Sequence, residues 1–138
     1  MTPSSIHRDL LTDDRRIDLP ATLFGAVAFP FKVEPTIFTM AGMLAAEYRG
    51  GFWDMFALSS GGWYMCPASE ATFTVSSPNG HTTSMTADAL GITATLFAFS
   101  HLSFGGDALA DICAEQYHVL REFALDHHEA EAILAACD

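Results

Sequence analysis

The chain has 138 residues, half of them apolar and 12% aromatic, which supplies a core without disulfides or a structural metal and sets it apart from disordered sequences. Seventeen acidic residues against six basic ones give a net charge of −11. A chain so poor in cations gains nothing from phosphate neutralisation, which argues against direct nucleic-acid binding. The acidity reads first as solubility and second as attraction to a basic partner surface.

The opening "MTPSSIHRDLLTDDRR" has mixed charges and lacks the apolar core of a signal peptide. The most apolar stretch, from Ala87 to Phe104, is interrupted by Thr93, Thr95, Ser100, His101 and Ser103, too polar for an unaided membrane span. Cys66, Cys113 and Cys137 form no CxxC pair, which points to free thiols in a reducing cytosol. A cytoplasmic, monomeric protein of one domain over residues 1–138 is expected, with residues 1–12 flexible.

Along the chain, "DDRRIDLPATLFG" predicts a loop entering a short helix, with Pro20 near its first position and Gly25 as its stop. "FPFKVEP" predicts extended backbone, because a residue before proline is pushed out of the helical region. Ile37, Met40, Ala41, Leu44, Ala45 and Tyr48 follow helical spacing and predict a helix near 35–48, ended by Gly50 and Gly51. "GGFWDMFALSSGGWYMCP" predicts a hairpin turning at "SSGG" and closed by Pro67. A second hairpin follows, from "ATFTVS" through the turn "SPNG" to "HTTSMT". Together the hairpins give about four antiparallel strands over roughly 51–86.

Thr86 and Asp88 open a helix near 87–103 that is apolar nearly all round and is therefore the buried central one. "FGGD" separates it from a helix near 107–125, with Asp111, Glu115 and Glu122 available to solvent. Asp126 and Glu129 have capping-box spacing for a last helix near 127–137. Helices flanking a strand block make the class α+β.

Motifs for chemistry are sparse. The glycine pairs lack the Lys-Ser or Lys-Thr of a phosphate loop and read as turn residues. Ser59 and Ser60 have no GxSxG elbow, and Cys66 has no cation nearby in sequence to activate it. His127, His128 and Glu131 lie about a helical turn apart, yet neighbouring histidines diverge around a helix, so solvated polar residues are the simpler reading. The expectation is no catalytic residue, no metal ligand and no cofactor. Trp53, Trp63 and Tyr64 are either core anchors or interface residues, and alternation sends Trp63 and Tyr64 to opposite faces. Asp138 follows a helix C-terminus, where the macrodipole disfavours an acid, which makes it a candidate partner contact.

Taken in order, "DDRRIDLPATLFG", "EYRGGFWDMFALSSGGWYMCP", "MTADALGITATLFAFSHL" and "YHVLREFALDHHEAEAILAACD" resemble the antirestriction family of KlcA and ArdB, carried on plasmids and other mobile elements. The blocks cover nearly the whole chain, "GGWYM" being the most specific. Two departures from the family pattern are His128 in place of proline and "SSGG" in place of an Asn-Gly-Gly turn. The resemblance implies a protein that helps incoming DNA survive type I restriction–modification, with no catalytic residues or cofactor.

Close imitation of DNA is not expected. A duplex shows about one charge per 1.7 Å of axis. Seventeen acids, partly offset by Arg8, Arg15, Arg16 and Arg49, cannot tile such a rod on a half-apolar globule. The expected mode is interaction with a host restriction–modification component or regulator, direct or indirect. From Gly105 onward eight acids accompany one base, Arg121, so the contact is expected at the C-terminal helices and exposed hairpin aromatics. Its candidate residues are Asp138, Glu131, Glu129, Asp111, Glu115, Trp53 and Tyr64. Two alternatives stand beside it: a small enzyme modifying a restriction-pathway component, and a plasmid-maintenance interaction module.

Overall fold

The computed structural model describes residues 5–138. A short strand, β1 (Arg8–Leu10), leads to α1 (Asp13–Phe24), a π-helical turn (Phe29–Val33) and α2 (Glu34–Leu44). The two expected hairpins follow, β2 (Trp53–Leu58) with β3 (Trp63–Pro67), and β4 (Thr72–Ser76) with β5 (Thr82–Thr86). Three helices complete the chain, α3 (Ala87–Leu102), α4 (Ala108–Leu125) and α5 (Ala130–Cys137). The class is α+β, but the hairpins do not join into one sheet. β1, β2 and β3 form one antiparallel sheet in that order, and β4 and β5 form another.

Of the N-terminal stretch 1–12, residues 1–4 lie outside the described residues, and β1 pairs with β2, Arg8 opposite Leu58 and Leu10 opposite Phe56. Three local expectations are corrected. α1 starts at Asp13 because the Thr12 side chain accepts from the Arg15 amide, leaving Pro20 inside the helix and not at its start. "FPFKVEP" is helical, not extended. Pro30 and Pro35 each occupy the first turn of a helical segment, where a missing N–H costs little, and Glu34 is helical despite preceding Pro35. Last, α2 stops at Leu44, since Ala45 is extended and bridges Val75 of β4. Tertiary pairing there overrides the helical spacing that reached Tyr48.

β3 is buried along its whole length, on both faces. Trp63 packs edge-on against Phe24 of α1 and Phe29 of the π-helical turn, at 5.6 and 5.4 Å between ring centroids. Tyr64, on the other face, stacks on Phe56 of β2 and Phe123 of α4. α3 is the central helix, with Ala89, Leu90, Ile92, Ala94, Leu96, Ala98 and Phe99 all fully buried. It approaches the backbone of β3 closely at Gly91, where a Cβ would lie 2.2 Å from Cys66 Cβ and 2.4 Å from the Met65 carbonyl oxygen. One turn on, Thr95 Oγ1 donates to that same carbonyl at 3.4 Å.

Candidate functional site

The "SSGG" turn is architectural. Gly61 takes a positive φ of 92° that L side chains avoid, and its carbonyl accepts from Gln116 Nε2 of α4 at 3.2 Å. Trp53 and Tyr64, offered above as partner contacts, are 2% and 0% exposed and are corrected to core residues. Trp53 stands edge-on to Phe38 and Tyr48, and its Nε1–H donates to Tyr48 Oη at 3.0 Å. The simple alternation that sends one face of a strand to solvent fails for Tyr64 because α4 covers that face.

Four residues distant in sequence converge at the start of α3. Thr86 caps the helix by accepting from the Ala89 amide, and Asp88 in the first turn points its carboxylate toward β1 and the segment before α5. Asp88 Oδ1 accepts from Arg8 Nη1 at 2.5 Å and from Tyr64 Oη at 2.7 Å. Asp88 Oδ2 bonds His127 Nε2 at 2.7 Å. His127 Nδ1 accepts from the Glu129 amide at 2.9 Å, so Nδ1 is unprotonated and Nε2 is the donor to Asp88. Arg8 also lies over the Phe56 ring at 4.3 Å. Burial would raise the Asp88 pKa, but the bonds from His127 and Tyr64 and the Arg8 charge outweigh it and hold the carboxyl at about 2.

Two side chains packed against this cluster, Cys66 and Tyr64, are held in their neutral forms. Burial, with Asp88 and Asp54 adding to it, pushes the Cys66 thiol up to about 12, the reverse of an activated nucleophile. Burial likewise raises the Tyr64 phenol. A cavity of about 550 Å³ opens beside the cluster, lined in part by Arg8, Asp88, Phe123, Asp126, His127 and His128. Ligating atoms of His127, His128 and Glu129, rather than Glu131, lie within 4.8 Å of one another. Both His127 nitrogens are engaged, and the Glu129 carboxylate is turned onto Thr86, accepting from its amide and its hydroxyl. Coordination of an ion by His127 would have to break one of its two bonds.

The Glu129 side chain therefore braces Thr86, the residue that caps α3, while its backbone stands at the N-cap position of α5. α5 begins without a side-chain cap, and Asp126 closes α4. The Glu129 carboxylate faces inward, which corrects its reading as a partner contact.

The remaining predicted contacts are exposed. Asp111, Glu115 and Glu122 recur at i, i+4 and i+11 on α4, so they form one solvent-facing acidic stripe, with exposed His118 at i+7 between them. Glu131 and Asp138 are exposed on and after α5. Asp138 is offset within the chain, Arg121 Nη2 lying 3.8 Å from its Oδ1. Among the described residues no helix is long and apolar enough to cross a membrane.

The model of the family described as "Antirestriction protein" matches residues 46–138. A KlcA antirestriction protein of Escherichia coli is 38% identical over 140 residues, 99% of this chain and 96% of its own length. The uncharacterized protein YafX of E. coli K12 is 36% identical, over 91% of this chain and 84% of its own. A solved KlcA/ArdB structure, described as a novel fold with antirestriction activity against type I DNA restriction systems in vivo but not in vitro, superposes with a TM-score of 0.89. That likeness holds at 34% identity over 100% of both chains. A family match over most of the chain and a whole-length fold match lead to one conclusion: this chain belongs to the antirestriction protein family.

Proposed function

We propose that this protein protects incoming DNA from type I restriction in the cytoplasm, by contact with another protein and without bond-making chemistry or close imitation of DNA. The observation that carries the reading is the whole-length fold match to a protein with type I antirestriction activity in vivo but not in vitro. Activity that needs the cell fits a partner outside the purified restriction enzyme. The acidic stripe of Asp111, Glu115 and Glu122 is the surface proposed for that contact, extended by Glu131 on α5 and Asp138 just after it. A basic partner face is its complement, since opposite potentials steer encounter and fix orientation.

Internal consumption of hydrogen-bonding capacity supports a non-catalytic reading of the Arg8–Asp88–His127 cluster. That cluster joins β1, α3 and the segment before α5, and so fixes the acidic helices on the sheet.

The test is the plating of phage carrying unmodified DNA on cells with a type I system, with and without the protein. Protection in those cells supports the proposal. Restriction left at its full level removes it.

A further inference from the structure

A second surface lies far from the acidic stripe in sequence. Asp13, Ile17 and Ala21 recur every four residues and line one side of a groove of about 480 Å³. The π-helical turn supplies the other side through Pro30, with Ala26 before it and Glu34 after it, while buried Phe29 and Met55 also line the cavity. The chain leaves large apolar side chains in water here. Ile17 is 73% exposed, and Val27 and Phe31, each next to a lining residue, are 71% and 77% exposed. A monomer rarely keeps such a stretch without a use.

The charges lining it are mixed but net acidic, two carboxylates against one guanidinium. Asp13 and Glu34 stand among the lining residues, and Arg16, the cation there, is drawn over the Phe52 ring at 4.5 Å. Glu34 is half-buried, and burial raises its pKa more than the Arg16 charge lowers it. The groove thus combines apolar walls with two acidic side chains.

We propose that this groove docks a short basic amphipathic segment of a partner protein. An aliphatic side chain sits between Ile17, Ala21 and Pro30 over Phe29, and a lysine or arginine answers Glu34 or Asp13. The rim acids repel an anionic lipid surface and a second copy of this chain, which itself carries a net charge of −11. This inference does not rest on the α4 stripe, because the groove residues lie between Asp13 and Met55.

The test is titration of the isotopically labelled protein with a synthetic helical peptide bearing leucine on one face and lysine and arginine on the other. Amide shifts should concentrate at Ile17, Ala21, Ala26 and Glu34. Affinity should fall about tenfold in Ile17→Ser and in Glu34→Lys, as expected for one lost apolar contact or one reversed charge. Ile17 is exposed, so its replacement leaves the fold intact, and Glu115→Lys on α4 should bind as the unaltered protein does. Equal loss in Glu115→Lys would show general attraction between opposite charges and overturn the proposal. So would shifts centred elsewhere, shifts that follow protein concentration without peptide, or tighter binding to phosphatidylglycerol vesicles than to the peptide.

Discussion

His127 Nε2 donates to Asp88 Oδ2 at 2.7 Å, tying the segment before α5 to the first turn of α3 across 39 residues of sequence. The same carboxylate holds Arg8 of β1 and Tyr64 of β3, so one side chain joins four parts of the fold. Asp88→Ala leaves the Tyr64 hydroxyl and the His127 N–H without their acceptor and Arg8 without its counter-charge. The expected loss is about 2–4 kcal/mol, since each hydrogen bond to a charged group contributes about 1.5–3 kcal/mol and the cluster is partly exposed. Urea denaturation measures it, and a loss under about 0.5 kcal/mol, the size typical of featureless surface changes, contradicts this account.

The sign of the pH dependence follows from the same carboxyl. Its folded pKa of about 2 lies below its ordinary 3.8, so its contribution is complete above about pH 4 and is lost as pH falls toward 2. Glu34 acts in the opposite direction, because burial raises its pKa. Comparing the protein with Asp88→Asn isolates the first effect. The stability gap between the two should be wide at pH 6 and should shrink by on the order of 2 kcal/mol near pH 2. A gap that stays constant would assign the Asp88 contacts no electrostatic part.

Gly91 lets α3 reach the backbone of β3. Gly91→Ala places a methyl 2.2 Å from Cys66 Cβ and 2.4 Å from Cys66 Cα, so neither a rotamer change nor Cys66→Gly makes room. The helix must move away, at a cost of about 3 kcal/mol or more, at the upper end of overpacking. Thermal denaturation reads this as a large fall in Tm, despite the better helix propensity of alanine. An unchanged Tm would mean that α3 and β3 are not in contact there.

The three thiols carry a chemical prediction. Burial first, and nearby acids second, push Cys66 and Cys137 up to about 12 and Cys113 to about 11. At pH 8 all three should react with a disulfide reagent far more slowly in the folded protein than in urea. Raised values also mean that their contribution to stability is present below their ordinary pKa of 9.0 and lost as pH rises through 11 to 12. A fast-reacting thiol at pH 8 would place that cysteine in a cationic or exposed setting instead.

How much of this was legible beforehand depends on the range of the cause. Thr86 as a cap, α3 as the buried helix and both hairpins follow from neighbours within a few residues, and the structure has them all. Pro30 and Pro35 misled because proline suits a helix start as well as an extended strand. Glu129 misled because capping-box spacing exists, yet the carboxylate serves Thr86, 43 residues away. No spacing rule joins Arg8 to Asp88 or Asp88 to His127, so the cluster appears only when the fold assembles. The α4 stripe was legible because helical period alone sets it, whereas the exposure of Tyr64 hung on what covers its face.

Charge reversal along α4 tests the proposed partner contact most directly. Phage carrying unmodified DNA is plated on type I restricting cells that express either the unaltered protein or Asp111→Lys/Glu115→Lys/Glu122→Lys, at matched soluble levels. The reversed stripe should lose at least about tenfold in protection, the scale of like charges meeting across an interface, while thermal unfolding stays close to that of the parent. Full protection by the folded triple variant would contradict the claim that this face meets the partner.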